Sequence, residues 1–245
     1  MDSLILIAAL VFIVAGTIKG IGGLGLPTAS ISLLSQFYDP YSAIALVMFP
    51  MLFSNIWQTY KSGEVRRTFK TYWPFGLMLI IFILIFVNLS VSIPVEMLTI
   101  ILGAVIILFS LSSLLIHPPE LPERFDKPAQ IIAGTIAGIM GGLTAIWSAP
   151  LIIYLVSRRL DKDDFIRASG LLITMGTVPL CFGYWANGLL TGSLAGISML
   201  MIIPTIVGFN LGARIRRRIE PAIFQKVVLI IFLLMGLNLI RKALF

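Results

Sequence analysis

The stretch "GTIKGIGGLGLP", Gly16 to Pro27, sets five glycines, a lysine and a proline in the middle of an apolar segment that runs from residue 3 to residue 36. Backbone that leaves a helix in hydrocarbon must find hydrogen-bond partners in protein or in a water-filled cavity. The stretch therefore reads as a break with a purpose. A similar phrase, "GTIAGIMGG", Gly134 to Gly142, interrupts a second long apolar segment, residues 130–157. One break in each half of the chain sets the frame for everything else.

Of the 245 residues, 58% are hydrophobic and 12% charged, with a mean hydropathy of +1.03. Soluble domains carry roughly twice that charged fraction. The composition is that of an integral membrane protein, and the polar gaps leave no room for a separate soluble domain. The first residues, Met1, Asp2 and Ser3, lack the positive charge of a secretory signal, so the N-terminus is expected within the fold. The net charge of +7 is explained by loop charge that fixes orientation, and no nucleic-acid partner is expected. A lone cysteine, Cys181, and a lone histidine, His117 in a Pro-rich loop, give no disulfide and no metal or catalytic constellation. No catalytic residue, cofactor or metal is expected.

Apolar runs of about 20 residues mark spans at 41–60, 72–90, 94–116, 164–185, 190–211 and 221–240. The two broken segments are too long for one straight span each and read as helix pairs, about 3–18 with 24–36 and 130–140 with 144–157. Loops 61–70, 158–167 and 212–220 hold twelve of the eighteen lysines and arginines, which places them in the cytoplasm. The connections 37–40, 91–93 and 186–189 hold none and are expected outside. Matched loops of the two halves thus change sides, as two repeats of opposite topology require. The expected fold is an all-α polytopic membrane protein with two inverted repeats. Each repeat is a Gly-broken helical hairpin followed by three transmembrane helices. The first covers 1–116 and the second 130–245, with 117–129 as a cytoplasmic linker. Treating each broken segment as a single span would instead give eight crossings and parallel repeats.

In secondary transporters, broken helices near the midplane aim helix N-termini, which carry partial positive charge, at anionic solutes. Gly20, Gly22, Gly23 and Gly25 would make the first turn and bare its backbone N–H groups, with Pro27 in the first turn of the new helix; Gly138, Gly141 and Gly142 would do the same in the second half. Thr28, Ser30, Thr144, Trp147 and Ser148 add neutral donors. All eleven acidic residues lie at span ends or in loops, so no midplane carboxylate suits a cation. The inventory fits a compact oxyanion. Lys19 either lends one positive charge to an anion path or reaches the headgroups from the hairpin tip; its counterpart is Ala137. The glycines four apart, Gly16 with Gly20 and Gly134 with Gly138, also suit close helix packing with no ligand at all. Asn55, Gln58, Thr174 and Thr177 either line a pathway or bond to neighbouring helices.

The phrases "GTIKGIGGLGLPTASISLL", "YSAIALVMFPMLFSN", "GTIAGIMGGLTAIWSAPLIIYLV" and "GFNLGARIRRRIEPAIFQKVVLIIFLLMGLNLI" together resemble the sulfite exporter TauE/SafE family of membrane permeases, over nearly the whole chain. The resemblance implies movement of small sulfur-containing anions, such as sulfite or organosulfonates, across the cytoplasmic (inner) membrane, often outward. The first function hypothesis is accordingly a secondary transporter or exporter of a small anion by alternating access. Its candidate site is Lys19, Gly22, Gly23, Gly25, Thr28, Gly141, Gly142, Thr144, Trp147 and Ser148. No Walker-type phrase offers nucleotide energy. The alternatives are a passive anion channel and a non-transporting scaffold or partner subunit; an intramembrane enzyme has no residues to support it. The expected partners are the small anion and the lipid bilayer, with a homo-oligomer as an open option.

Overall fold

The structure, a computed structural model, describes residues 2–22, 25–116, 118–216 and 220–244. No strand occurs among them. The helices are α1 (Asp2–Gly22), α2 (Leu26–Leu34), α3 (Pro40–Ser62), α4 (Val65–Ser90), α5 (Val95–Leu115), α6 (Asp126–Thr144), α7 (Ser148–Ser157), α8 (Lys162–Ala186), α9 (Gly192–Leu200), α10 (Ile202–Ile215) and α11 (Pro221–Leu244). Seven stretches among the described residues are long and apolar enough to span a bilayer, α9 and α10 counting together as one. Their outer faces carry large apolar side chains, for example Leu6, Leu10 and Val14 on α1. The opposite face of the same helix buries Ala8, Val11, Phe12 and Ala15. This is an all-helical, multi-pass membrane protein.

Several boundaries differ from the sequence reading. The first arm does not stop near residue 18: α1 continues to Gly22 and, at 21 residues, is long enough to cross the membrane by itself. The second arm begins at Asp126 and persists to Thr144, taking in the end of the linker expected at 117–129. The span expected at 190–211 is divided by a turn at Met201 and runs on to Ile215. The restarts fall at Leu26 and Ser148, two and four residues after the starts at 24 and 144 read from the sequence.

Close helix pairing explains why the arms are longer. α1 runs beside α10 in the same direction, and a Cβ on Gly16 or Gly20 would lie 2.5 Å from the carbonyl oxygen of Thr205 or Phe209. α6 runs beside α4 in the same way. There a Cβ on Gly134 would lie 2.5 Å from Phe75 O, and one on Gly138 2.5 Å from Phe82 Cβ. These glycines let backbones approach where a larger residue would hold them apart. α5 and α11 form a third seam, in which a Cβ on Gly103 or Gly236 would lie 2.8 or 2.9 Å from the other's carbonyl oxygen.

The loops sort to two ends. Arg167 Nε donates to Ser62 O at 3.1 Å, Arg158 pairs with Asp126 at 3.2 Å and Leu121 N–H donates to Ser157 O at 2.9 Å. Loop 61–64, the start of α8, the 118–126 linker and the end of α7 therefore share one end, which is rich in basic residues. At the other, Tyr41 Oη donates to Ser90 O and Ile93 O at 2.7 and 2.8 Å, Asn187 donates to Asn88, and Lys242 donates to Gln36 O.

Candidate functional site

The two breaks are built differently. In the first, Gly25 caps α2 with φ +100°, a left-handed conformation open to glycine and strained for other residues. Pro27 sits in the first turn of α2, where its missing N–H has no intrahelical acceptor to lose. Gly23 and Leu24 lie outside the described residues. In the second break the left-handed residue is Ala145, φ 57°, whose N–H closes α6 onto Gly141 O at 2.8 Å. Thr144 Oγ1 donates to Met140 O at 2.8 Å and accepts from Ile146 N–H at 3.3 Å, so its hydroxyl is engaged in its own turn.

Most of the glycines expected at the turns do not form them. Gly20 and Gly22 are helical in α1, and Gly138, Gly141 and Gly142 are helical in α6, where their N–H groups belong to the helix ladder. Gly142 packs against Phe86 and the Ile83 carbonyl. Gly141 and Gly176 flank the Trp147 indole, with their Cβ positions 2.7 and 3.0 Å from its ring. These glycines pack helices and seat an indole.

What the structure brings together is the pair of restarts. Thr28 Oγ1, in the first turn of α2, and Ser148 Oγ, the first residue of α7, lie 3.2 Å apart across 120 residues of sequence. α2 leads from this point towards Gln36 and the basic-poor end; α7 leads from it towards Ser157 and the basic end. Two short helices thus point their N-termini at one partly buried place from opposite sides. The first-turn N–H groups of Leu26, Thr28, Ser148 and Ala149 have no intrahelical acceptors. Ser30 Oγ and Trp147 Nε1 are buried without a hydrogen-bond partner among the described residues. An anion is the ligand that such an arrangement of donors suits.

Lys19 turns inward. It is 2% exposed, and its Nζ donates to Asn55 Oδ1 at 2.8 Å and Ser54 Oγ at 3.1 Å on α3. The alternative in which it reaches the headgroups is therefore not the one adopted. The neighbouring Ile18 meets the Cβ position of Gly25 at 3.6 Å, so the Lys19 turn of α1 abuts the start of α2. Asn55 is held in turn by its Nδ2 donating to Met51 O. No carboxylate reaches Lys19: the ion pairs among the described residues, Arg67–Glu64, Arg158–Asp126 and Arg167–Asp164, gather at the basic end. Sequence reasoning did not name Ser54 or Asn55 as the lysine's partners, although a buried ammonium demands acceptors. Gln58 bonds to Ile166 O on α8, and Thr174 and Thr177 bond back into their own helix.

The family model described as sulfite exporter TauE/SafE matches residues 8–239. No curated protein and no solved structure matches the chain. The match takes in both breaks, Lys19, the facing hydroxyls and all but the ends of the chain, and by it the chain belongs to the sulfite exporter TauE/SafE family of membrane permeases.

Proposed function

We propose that the chain is a secondary transporter of the inner membrane that carries a small sulfur oxyanion or organosulfonate by alternating access. The observation that carries this reading is the meeting of Thr28 and Ser148 at the facing N-termini of α2 and α7. The partial positive charge of each helix end and the free first-turn N–H groups supply binding without a bound cation. Family membership supports the choice of a sulfur anion.

The reading includes two inverted repeats, residues 1–116 and 130–245. Support comes from three features of the packing: each first arm lies parallel to a late helix of the other half, α1 with α10 and α6 with α4; α3 packs on α8; and α5 packs on α11 through Gly103 and Gly236. Such reciprocal pairing is what a two-fold relation in the membrane plane produces. Alternating access then consists of the two hairpins parting from their surroundings at one end at a time.

The test is uptake of labelled sulfite, thiosulfate and sulfoacetate by proteoliposomes holding the purified protein, with Thr28→Val and Ser148→Ala beside wild type. Saturable uptake with counterflow is expected for at least one anion. Each variant should lose roughly tenfold in kcat/KM, the worth of about one good hydrogen bond. Absence of saturable uptake for all three would refute the transporter reading, and linear, non-saturating flux would make it a channel.

A further inference from the structure

We infer, on the basis of that reading, that α2 walls the outer half of the solute path and that Thr28, Ser32 and Ser35 form a ladder of hydroxyls along it. Positions 28, 32 and 35 follow one another at intervals of four and three residues, so they share one face of the helix. Thr28, the innermost rung, is the group that meets Ser148. The other two are buried, Ser32 at 0% and Ser35 at 6% exposure, and neither hydroxyl has a hydrogen-bond partner among the described residues. Three of the seven buried side-chain atoms in that condition fall on this short helix and its C-cap; the third is Ser30 Oγ, which lies on the opposite side of α2 and takes no part. Elsewhere Thr99, Ser110, Thr174, Thr177 and Thr205 all donate to the carbonyl four residues back in their own helices. A desolvated hydroxyl without a partner is a cost to the fold, and it calls for a ligand or a water that bonds to it in another state.

The fold itself does not ask for these hydroxyls. On α7 the positions at the same intervals from Ser148 are Ile152 and Leu155. The spacing on α2, by contrast, suits an oxyanion. Neighbouring rungs have Cβ atoms roughly 5–6 Å apart, so an ion between two of them can accept a hydrogen bond from both at once. It therefore bonds to the next rung before it leaves the last, and the three rungs cover roughly 10 Å of helix. At the outer end the last carbonyls of α2 carry partial negative charge, and that charge is met by donors. Gln36 Nε2 donates to Ser32 O at 3.1 Å, and Lys242 Nζ donates to Gln36 O at 2.8 Å. Asn238 Nδ2 in turn holds the Gln36 side chain at 2.7 Å, tying the end of α2 to α11.

Removing a buried hydroxyl that has no partner takes nothing from the resting protein, so Ser32→Ala and Ser35→Ala should melt at or above the wild-type temperature. Their saturable uptake of labelled sulfite, thiosulfate or sulfoacetate in proteoliposomes should nevertheless fall about tenfold in kcat/KM. A second measurement reads access directly. In nanodiscs, where both faces are open to reagent, Ser32→Cys and Ser35→Cys in a Cys181→Ala background should react with the anionic thiol reagent 2-sulfonatoethyl methanethiosulfonate. Leu34→Cys, buried on another side of α2, should not. Unchanged uptake in both alanine variants, a loss of uptake that tracks a lowered melting temperature, or equal reactivity of the three cysteines overturns the inference while anion transport stands. No saturable uptake of any of the three anions by wild type removes the transporter reading, and the ladder with it.

Discussion

Replacing Gly134 with valine tests whether the arms of the hairpins depend on close backbone packing. The Cβ of any larger residue there would lie 2.5 Å from Phe75 O and 3.0 Å from Phe75 Cα, backbone atoms with no rotamer to yield. Restoring ordinary contact requires α4 and α6 to separate by roughly 1 Å, and a gap of that size forfeits a quarter to a half of each dispersion contact along the seam. The two glycines that follow at four-residue intervals, Gly138 and Gly142, meet Phe82 and Phe86 on the same face of α4, so the loss spreads over several turns. Overpacking costs about 1–3 kcal/mol, and valine's two extra methyls put this case at the upper end. At about 2–4 °C per kcal/mol for a chain of this length, the melting temperature in detergent should fall by roughly 6–12 °C. Gly196→Val is the control, since a Cβ there meets nothing within 4 Å, and it should shift melting by no more than about 2 °C. Equal melting of the two variants would refute the packing role assigned to these glycines.

Gly25→Ala should cost about 1–2 kcal/mol through backbone strain alone, because φ is +100° and the added methyl would touch only Ile18 at 3.6 Å. Ala145→Gly, at φ 57°, should leave stability unchanged or raise it by up to about 1 kcal/mol; melting temperatures that move in the reverse order would contradict the account of the two turns. Ser198 Oγ donates at 2.8 Å to Leu46 O, the carbonyl that Pro50 leaves without its usual donor, and accepts from Phe49 N–H at 3.2 Å. Ser198→Ala should therefore destabilise by about 1–3 kcal/mol in denaturant titration, and a wild-type midpoint would show that the gap in α3 needs no plug.

The spans and the sorting of loop charge were readable because each rests on a run of residues. About 20 apolar side chains in succession, or four basic residues in ten, survive errors at any one position. The breaks were readable as breaks but not as turns. Glycine at four-residue spacing, as at Gly16 and Gly20 or Gly134 and Gly138, looks the same whether it opens a backbone or lets two helices touch. Only the partner helix decides, and α10 and α4 lie far along the chain. The second turn was hidden altogether, since Ala145 carries no mark of its left-handed backbone. The turn at Met201 does carry a mark in Pro204, which leaves Leu200 O without its helical donor, but a run of apolar residues outweighs it in a reading by hydropathy. The pairing of Thr28 with Ser148 follows from packing across 120 residues, although each hydroxyl had been singled out by its place at a restart.

The partners of Lys19 bear on function more than its burial does. A buried ammonium facing a carboxylate would be stabilised, and its charge would be spent on that partner. Asn55 Oδ1 and Ser54 Oγ instead fix the position of Nζ with two neutral acceptors and tie the last turn of α1 to α3. Asn55 is itself held by Met51 O, on the residue that follows Pro50 in α3. The matching position in the second half is Ala137, fully buried and without charge, so the charge enters from one hairpin only. The polar link between the first hairpin and α3 thus runs through one buried side chain, held by neutral acceptors and with no equivalent at Ala137.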